Sequence, residues 1–254
     1  MNAKNSHSMN RILRTLAASA FLMWSAGLFA QTFDIVERRE FWNAGRNVNG
    51  LRMDSLTVSY AELLGDYTGG SLRDVSDPVS QWSAGAEAGT ITHLKRFSMI
   101  GAFSFRNAEE RKACGSMSAR PGLYPVDIYE FTPGRKTRQT YSFLGGITVD
   151  LNDNWRIGGK MDFAAENYTK RKDLRHTDYL LDMTVAPGLM WHRGDLAVGA
   201  NYIFTKTSET ITAEELGITS GVYYAFIDKG MMYGVRDIWD NSSLHIRESG
   251  VSGF

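Results

Sequence analysis

The chain has one cysteine, Cys114, and 5 prolines in 254 residues, and its charges cancel, with Lys+Arg 28 against Asp+Glu 28. A single cysteine allows no intrachain disulfide and no Cys-based zinc site, and no motif surrounds it. Zero net charge leaves no basic field to hold a polyanion, so nucleic acid is excluded as an expected partner. Nucleophile-elbow, zincin and P-loop patterns are all missing. The histidines His7, His93, His176, His192 and His245 are scattered, and no Ser–His pair falls on adjacent expected strands. The expectation is therefore a non-enzyme with no catalytic residue, metal ligand or cofactor.

Long apolar runs are confined to the N-terminus. Arg11 and Arg14 precede the run Leu16–Phe29, followed by Ala30-Gln31. That is the layout of a secretory signal peptide over 1–30, with the mature chain starting near Gln31. The run is shorter than the roughly 20 residues a spanning helix needs.

What the rest of the chain does have is period-two alternation, the mark of strands with two unlike faces. In Trp155–Glu166 one row reads Trp155, Ile157, Gly159, Met161, Phe163, Ala165; the other reads Arg156, Gly158, Lys160, Asp162, Ala164, Glu166. Similar apolar rows run through Leu56–Tyr60, Trp82–Ala88, Phe97–Phe105, Tyr141–Leu151, Tyr179–Trp191 and Leu196–Phe204. Ile100 interrupts the polar row of its segment. Several of these segments run about ten to thirteen residues, longer than is usual in a soluble domain and close to the 9–11 that a tilted strand needs to cross a bilayer. Seven strands are clear, and Gly221–Ile227 gives a weak eighth.

The connections alternate. Short turns at His93–Arg96, Asn152–Asn154 and His192–Asp195 carry turn residues, and the Arg193-Gly194-Asp195 tripeptide is read as one such turn. The Asp150–Trp155 stretch resembles the start of a calcium loop but lacks its glycine, and is also read as a turn. Long connections are expected over Gly65–Gln81, Asn107–Gln139 and Asn167–Asp178. Short turns on one side and long loops on the other are the asymmetry of outer-membrane barrels. The expected fold is all-β, an antiparallel transmembrane β-barrel over 55–254, incomplete in this chain, after an N-terminal periplasmic segment 31–54.

On that reading Glu87, Asp150, Arg156, Lys160, Asp162, Glu166 and Asp182 face a wet lumen. Trp155 and Trp191 by the short turns, and Trp82, Tyr141 and Tyr179 by the long loops, form two aromatic girdles. The basic stretch Thr169–His176 is read as a solvated outer loop, with lipopolysaccharide phosphates as its possible contact.

Ahead of the first strand, Trp42, Asn47, Gly50 and Leu51 in Phe41–Leu63 resemble an element of an uncharacterised family of Bacteroidetes-type outer-membrane β-barrel proteins. The resemblance implies a bacterial outer-membrane location with a periplasmic N-terminus and extracellular long loops. It supplies no catalytic or binding residues.

The functional expectation is a channel or transporter for an unidentified small solute. A non-conducting barrel that binds a partner or scaffolds the envelope is the alternative, and a barrel-embedded hydrolase is third. Expected partners are outer-membrane lipid, lipopolysaccharide, the barrel assembly machinery and the solute.

Overall fold

The computed structural model describes residues 30–38, 40–53, 55–73, 77–124, 126–172, 175–214, 223–228, 234–239 and 244–253. The expected signal peptide falls outside them except for Ala30, as does Phe254. The described residues begin with the helical stretch 30–38, α1, followed by a short helix α2, Phe41–Ala44. A 3-10 turn at Val48–Arg52 follows. Then come β1 Val58–Gly69, β2 Ser80–His93, β3 Phe97–Ser116, β4 Val126–Asp150 and β5 Trp155–Lys170. β6 Arg175–Arg193, β7 Leu196–Glu214, β8 Tyr223–Asp228, β9 Gly234–Trp239 and β10 Leu244–Gly253 complete the order. No described helix is long and apolar enough to cross a membrane.

All of these strands belong to one 10-stranded antiparallel sheet, in the order β1-β2-β3-β4-β5-β6-β7-β10. The expected count of seven or eight is corrected by this order. β8 does not lie beside the first strand; Val126–Tyr129 of β4 pairs with it, and β9 folds back on it as a hairpin. The described pairings leave the sheet open between β1 and β10.

Strand length is the second correction. The connections expected to be long loops are largely continuations of the strands. β4 runs 25 residues and β3 runs 20, leaving only 117–125 between them, and β5 to β6 is joined by 171–174. Period-two burial simply carries on past the point where the outward row turns polar. Cys114, placed by the sequence in a loop, is buried in β3.

The two faces differ in the reverse of the usual way. Large apolar side chains are exposed on one: Phe103, Phe143, Ile147, Ile157, Met161 and Leu189 among them. The other, here the inner face, buries charge and carries the N-terminal segment. Phe33, Val36, Val48, Leu51, Val58, Tyr60, Ile91 and Ile100 form the main apolar cluster on it. Ile100 breaks the polar row of β3 because it packs in this cluster.

Candidate functional site

Residues 33–38 and 40–52 lie on the inner face at its short-turn end, and small side chains make room for them. A Cβ on Gly158 would stand 2.7 Å from Ile147 O and 2.7 Å from Val48 Cγ1, so the 3-10 turn sits directly on the strand backbone. Gly50 is a second such contact, its Cβ position 2.3 Å from Trp42 Cβ. Asn47 caps the 3-10 turn by accepting from the Asn49 amide and donates from Nδ2 to Leu189 O at 3.3 Å. Asn49 Oδ1 accepts from Thr148 Oγ1 at 2.6 Å, and Asn201 Nδ2 donates to Gly45 O at 3.0 Å. Trp42, Asn47, Gly50 and Leu51, singled out by the sequence, are thus the residues that seat this segment. Arg46 holds a left-handed backbone, φ 62°, rare for a residue with a Cβ, and its guanidinium is fixed by Asp162.

The residues expected in the lumen all lie on the inner face, and several are paired with groups the strands do not supply. Lys160 Nζ donates to Glu37 Oε1 of α1 at 2.5 Å, Asp162 holds Arg46, and Asp150 holds Arg52. Arg156 Nε stands 3.0 Å from Asp150 Oδ1. Glu87 accepts from the Tyr60 hydroxyl. At the other end Glu166 meets Arg138 at 2.6 Å and Arg120 at 3.6 Å, and Asp182 meets Arg120 at 3.3 Å. The girdle candidates stand on the opposite face: Trp82, Trp155, Tyr141 and Tyr179 are exposed and Trp191 is half-buried.

A second buried assembly was not found by the sequence. The segment 117–124 folds over the inner face of β5, β6 and β7, with Met117 against Ile128 and Ile211, and Ala119 against Tyr168 and Leu180. Beneath it Lys170 Nζ donates to Glu130 Oε2 at 2.6 Å, while Lys136 Nζ donates to Ser116 O at 2.8 Å and lies 3.5 Å from Glu130 Oε1. All three side chains are fully buried. The Ala119 amide donates to Asp178 Oδ2 at 2.6 Å, and Ser118 Oγ donates to Glu209 Oε1 at 2.7 Å. The signal that would have found this cluster is the continued parity of Glu166, Tyr168 and Lys170 beyond the apolar row, and of His176 and Asp178 before Tyr179.

Burial sets the protonation of these groups, which lie beyond the ends of the apolar rows. Burial, then the Glu209 carboxylate, pushes the Asp178 carboxyl up to about 9. Burial, aided by the charges of Lys136 and Lys170, holds His176 well below the usual imidazole value, and neither ring nitrogen has a hydrogen-bond partner. Burial likewise lowers Lys136, opposed by Glu130. The cluster thus tethers the 117–124 segment through the Ala119–Asp178 and Ser118–Glu209 hydrogen bonds. No group of metal-ligand residues occurs among the described residues.

A family model described as a family of unknown function, DUF6850, matches residues 50–249, covering most of the sheet. The chain belongs to that family. No curated protein and no solved structure matches it. Membership in DUF6850 therefore brings no activity with it, and function rests on the geometry of this chain.

Proposed function

We propose that this DUF6850 chain forms the wall of a bacterial outer-membrane β-barrel, closed inside by its own segments, and serves as a non-conducting binding or scaffold protein. The observation that carries the reading is the outward apolar band. Its upper limit follows the strand register: Phe105 pairs with Tyr141, Tyr141 with Ala165, and Ala165 with Leu181. Its lower limit does so too, through Phe97, Val149, Ile157 and Leu189. Beyond the upper limit the outward row becomes Asn107, Gln139 and Asn167, then Thr137, Thr169 and Thr177. Each apolar row spans roughly the 9–11 residues that a strand tilted by about 45° needs. Such a band in water would be an aggregation face, and in lipid it is the expected one.

Closure is part of the proposal, because an open sheet edge in lipid leaves backbone N–H and C=O groups unpaired. Antiparallel steps from β1 through β7 to β10 leave β10 opposite in direction to β1, the sense that direct pairing of these edges requires. The N-terminal segment would then close the short-turn, periplasmic end and 117–124 the outer end. That filling supports the non-conducting reading over the solute channel.

Two open hollows on the inner face, of about 570 Å³ and 470 Å³, favour the channel as second reading. The larger is bordered by Glu37, Arg46 and Asp162, the smaller by Arg106, Arg120 and Glu166. Ion conductance in planar bilayers separates the two. Purified full-length chain should insert without stepwise current, and steady ohmic current in the wild type would replace the scaffold reading by the channel.

A further inference from the structure

The outward face just past the upper limit of the apolar band is basic. On β3 it carries exposed Arg111 and Lys112, and beyond β5 it carries exposed Arg171 and Lys172. Two surface hollows lie along this rim. One, of about 480 Å³, is bordered by Arg111, Lys112, Arg135 and Lys172. The other, of about 570 Å³, is bordered by Arg171, Arg175, Thr169, Thr177, Asn167 and Tyr179. The described residues lining these two hollows include no carboxylate. Arg135 is held by Glu109, whose carboxylate also feels the charge of Arg111, whereas no ion pair engages Arg171 or Lys172 among the described residues.

Three features of the second hollow narrow the ligand. Its cations suit phosphate, and Arg171 with its planar fork suits it best. Its hydroxyl and amide lining suits a polyhydroxylated group, and Asn167 Oδ1 is a buried acceptor with no donor. Its floor meets the apolar band directly, since Asn167 pairs with Tyr179 and the next outward pair in register is Ala165 with Leu181. A ligand meeting all three has a phosphorylated sugar head and acyl chains.

We infer that this rim, from β3 to β6, is a docking surface for phosphorylated glycolipid of the outer leaflet, with the headgroup in the hollow beside Arg171 and the chains along Tyr141, Phe143, Tyr179 and Leu181. The inference rests on the outer-membrane reading above. It gives the basic stretch Thr169–His176 a partner and explains why the sequence clusters cations there despite zero net charge.

The test uses the full chain in zwitterionic detergent micelles doped with a bis-phosphorylated glucosamine disaccharide lipid, at low salt, with binding read by native mass spectrometry. Wild type should retain the lipid, and the variant carrying Arg111→Ala, Arg171→Ala and Lys172→Ala should bind it at least about tenfold more weakly, since each cation near an anionic lipid surface contributes independently. Arg193→Ala, in a short turn at the opposite end, should bind as wild type does. Equal loss in Arg193→Ala, equal retention of the dephosphorylated lipid, or displacement by millimolar inorganic phosphate would overturn the inference. Insertion into phosphatidylcholine vesicles, measured in parallel, separates the two claims: insertion without lipid preference sinks only the docking surface, and failure to insert sinks the membrane reading beneath it.

Discussion

Asp178 and His176 face the same buried space with opposite pH requirements. Asp178 has its folded value raised to about 9, so between an ordinary carboxyl value near 4 and about 9 the folded state holds a proton that the unfolded chain releases. Its contribution to stability is greatest in acid and declines as pH rises through that window. His176 is held neutral, so below an ordinary imidazole value near 6.5 the unfolded chain takes up a proton that the folded state refuses, and stability falls with acid. Asp178→Asn keeps an acceptor for the Ala119 amide and removes the titration. The variant should be more stable than wild type at pH 8, by a margin that shrinks as pH falls and is small at pH 4. Denaturant melts across pH check this; an unchanged slope above pH 5 would show that Asp178 ionises freely.

Gly158 makes the other prediction at this scale. Its absent Cβ is what lets Val48 and the 3-10 turn meet the strand backbone. Gly158→Ala forces the turn or β4 to move, at about 1–3 kcal/mol. Trypsin should then cut after Arg46 or Arg52 in folded protein whose sheet remains intact, and resistance equal to wild type would place the segment's hold elsewhere.

Among the elements, β5 is the plainest test of the two faces. Met161 is exposed on the apolar row, and Lys160 is buried and held by Glu37. Arg at a lipid-facing midplane position costs about 2–4 kcal/mol. Met161→Arg should therefore cut folding yield in lipid vesicles severely. Lys160→Met leaves β5 insertable and removes the tie from β5 to Glu37, so its loss should appear as loosening of α1. Equal yields for the two variants would contradict the facing. The same strand shows how far a pattern is legible. Its alternation marks the strand and its faces from Trp155 to Glu166, and the signal fades where the outward row turns polar. β5 in fact continues to Lys170, because cross-strand pairing with Lys136–Gln139 does not depend on the polarity of the outward side chains.

At the scale of the whole molecule the two edges, β1 and β10, govern how the sheet behaves in lipid. If they meet, every wall strand is paired on both sides, and the chain should run on gels as a compact, heat-modifiable monomer after folding in detergent. Aggregation with no such band would mean that this chain does not close the wall by itself. Cys114 offers an independent readout. Buried in β3, it should resist maleimide in the folded protein and label on denaturation. Immediate labelling would open the region under 117–124.

The apolar parts of β1 to β7, their faces and the tight turns are legible in the sequence, because side-chain direction in a strand repeats every two residues and turn chemistry is local. The sequence placed Lys160, Asp162 and Glu166 on one row for that reason. What those charges meet is set by long-range packing: Arg46 reaches Asp162 across 116 positions, and Ser118 reaches Glu209 across 91. Packing also gives Val126–Tyr129 β8 as its neighbour and lays residues 33–38 and 40–52 on the inner face. Such contacts have no period to reveal them. They are selected by which buried charge finds a partner and which glycine leaves room, once distant strands have come together.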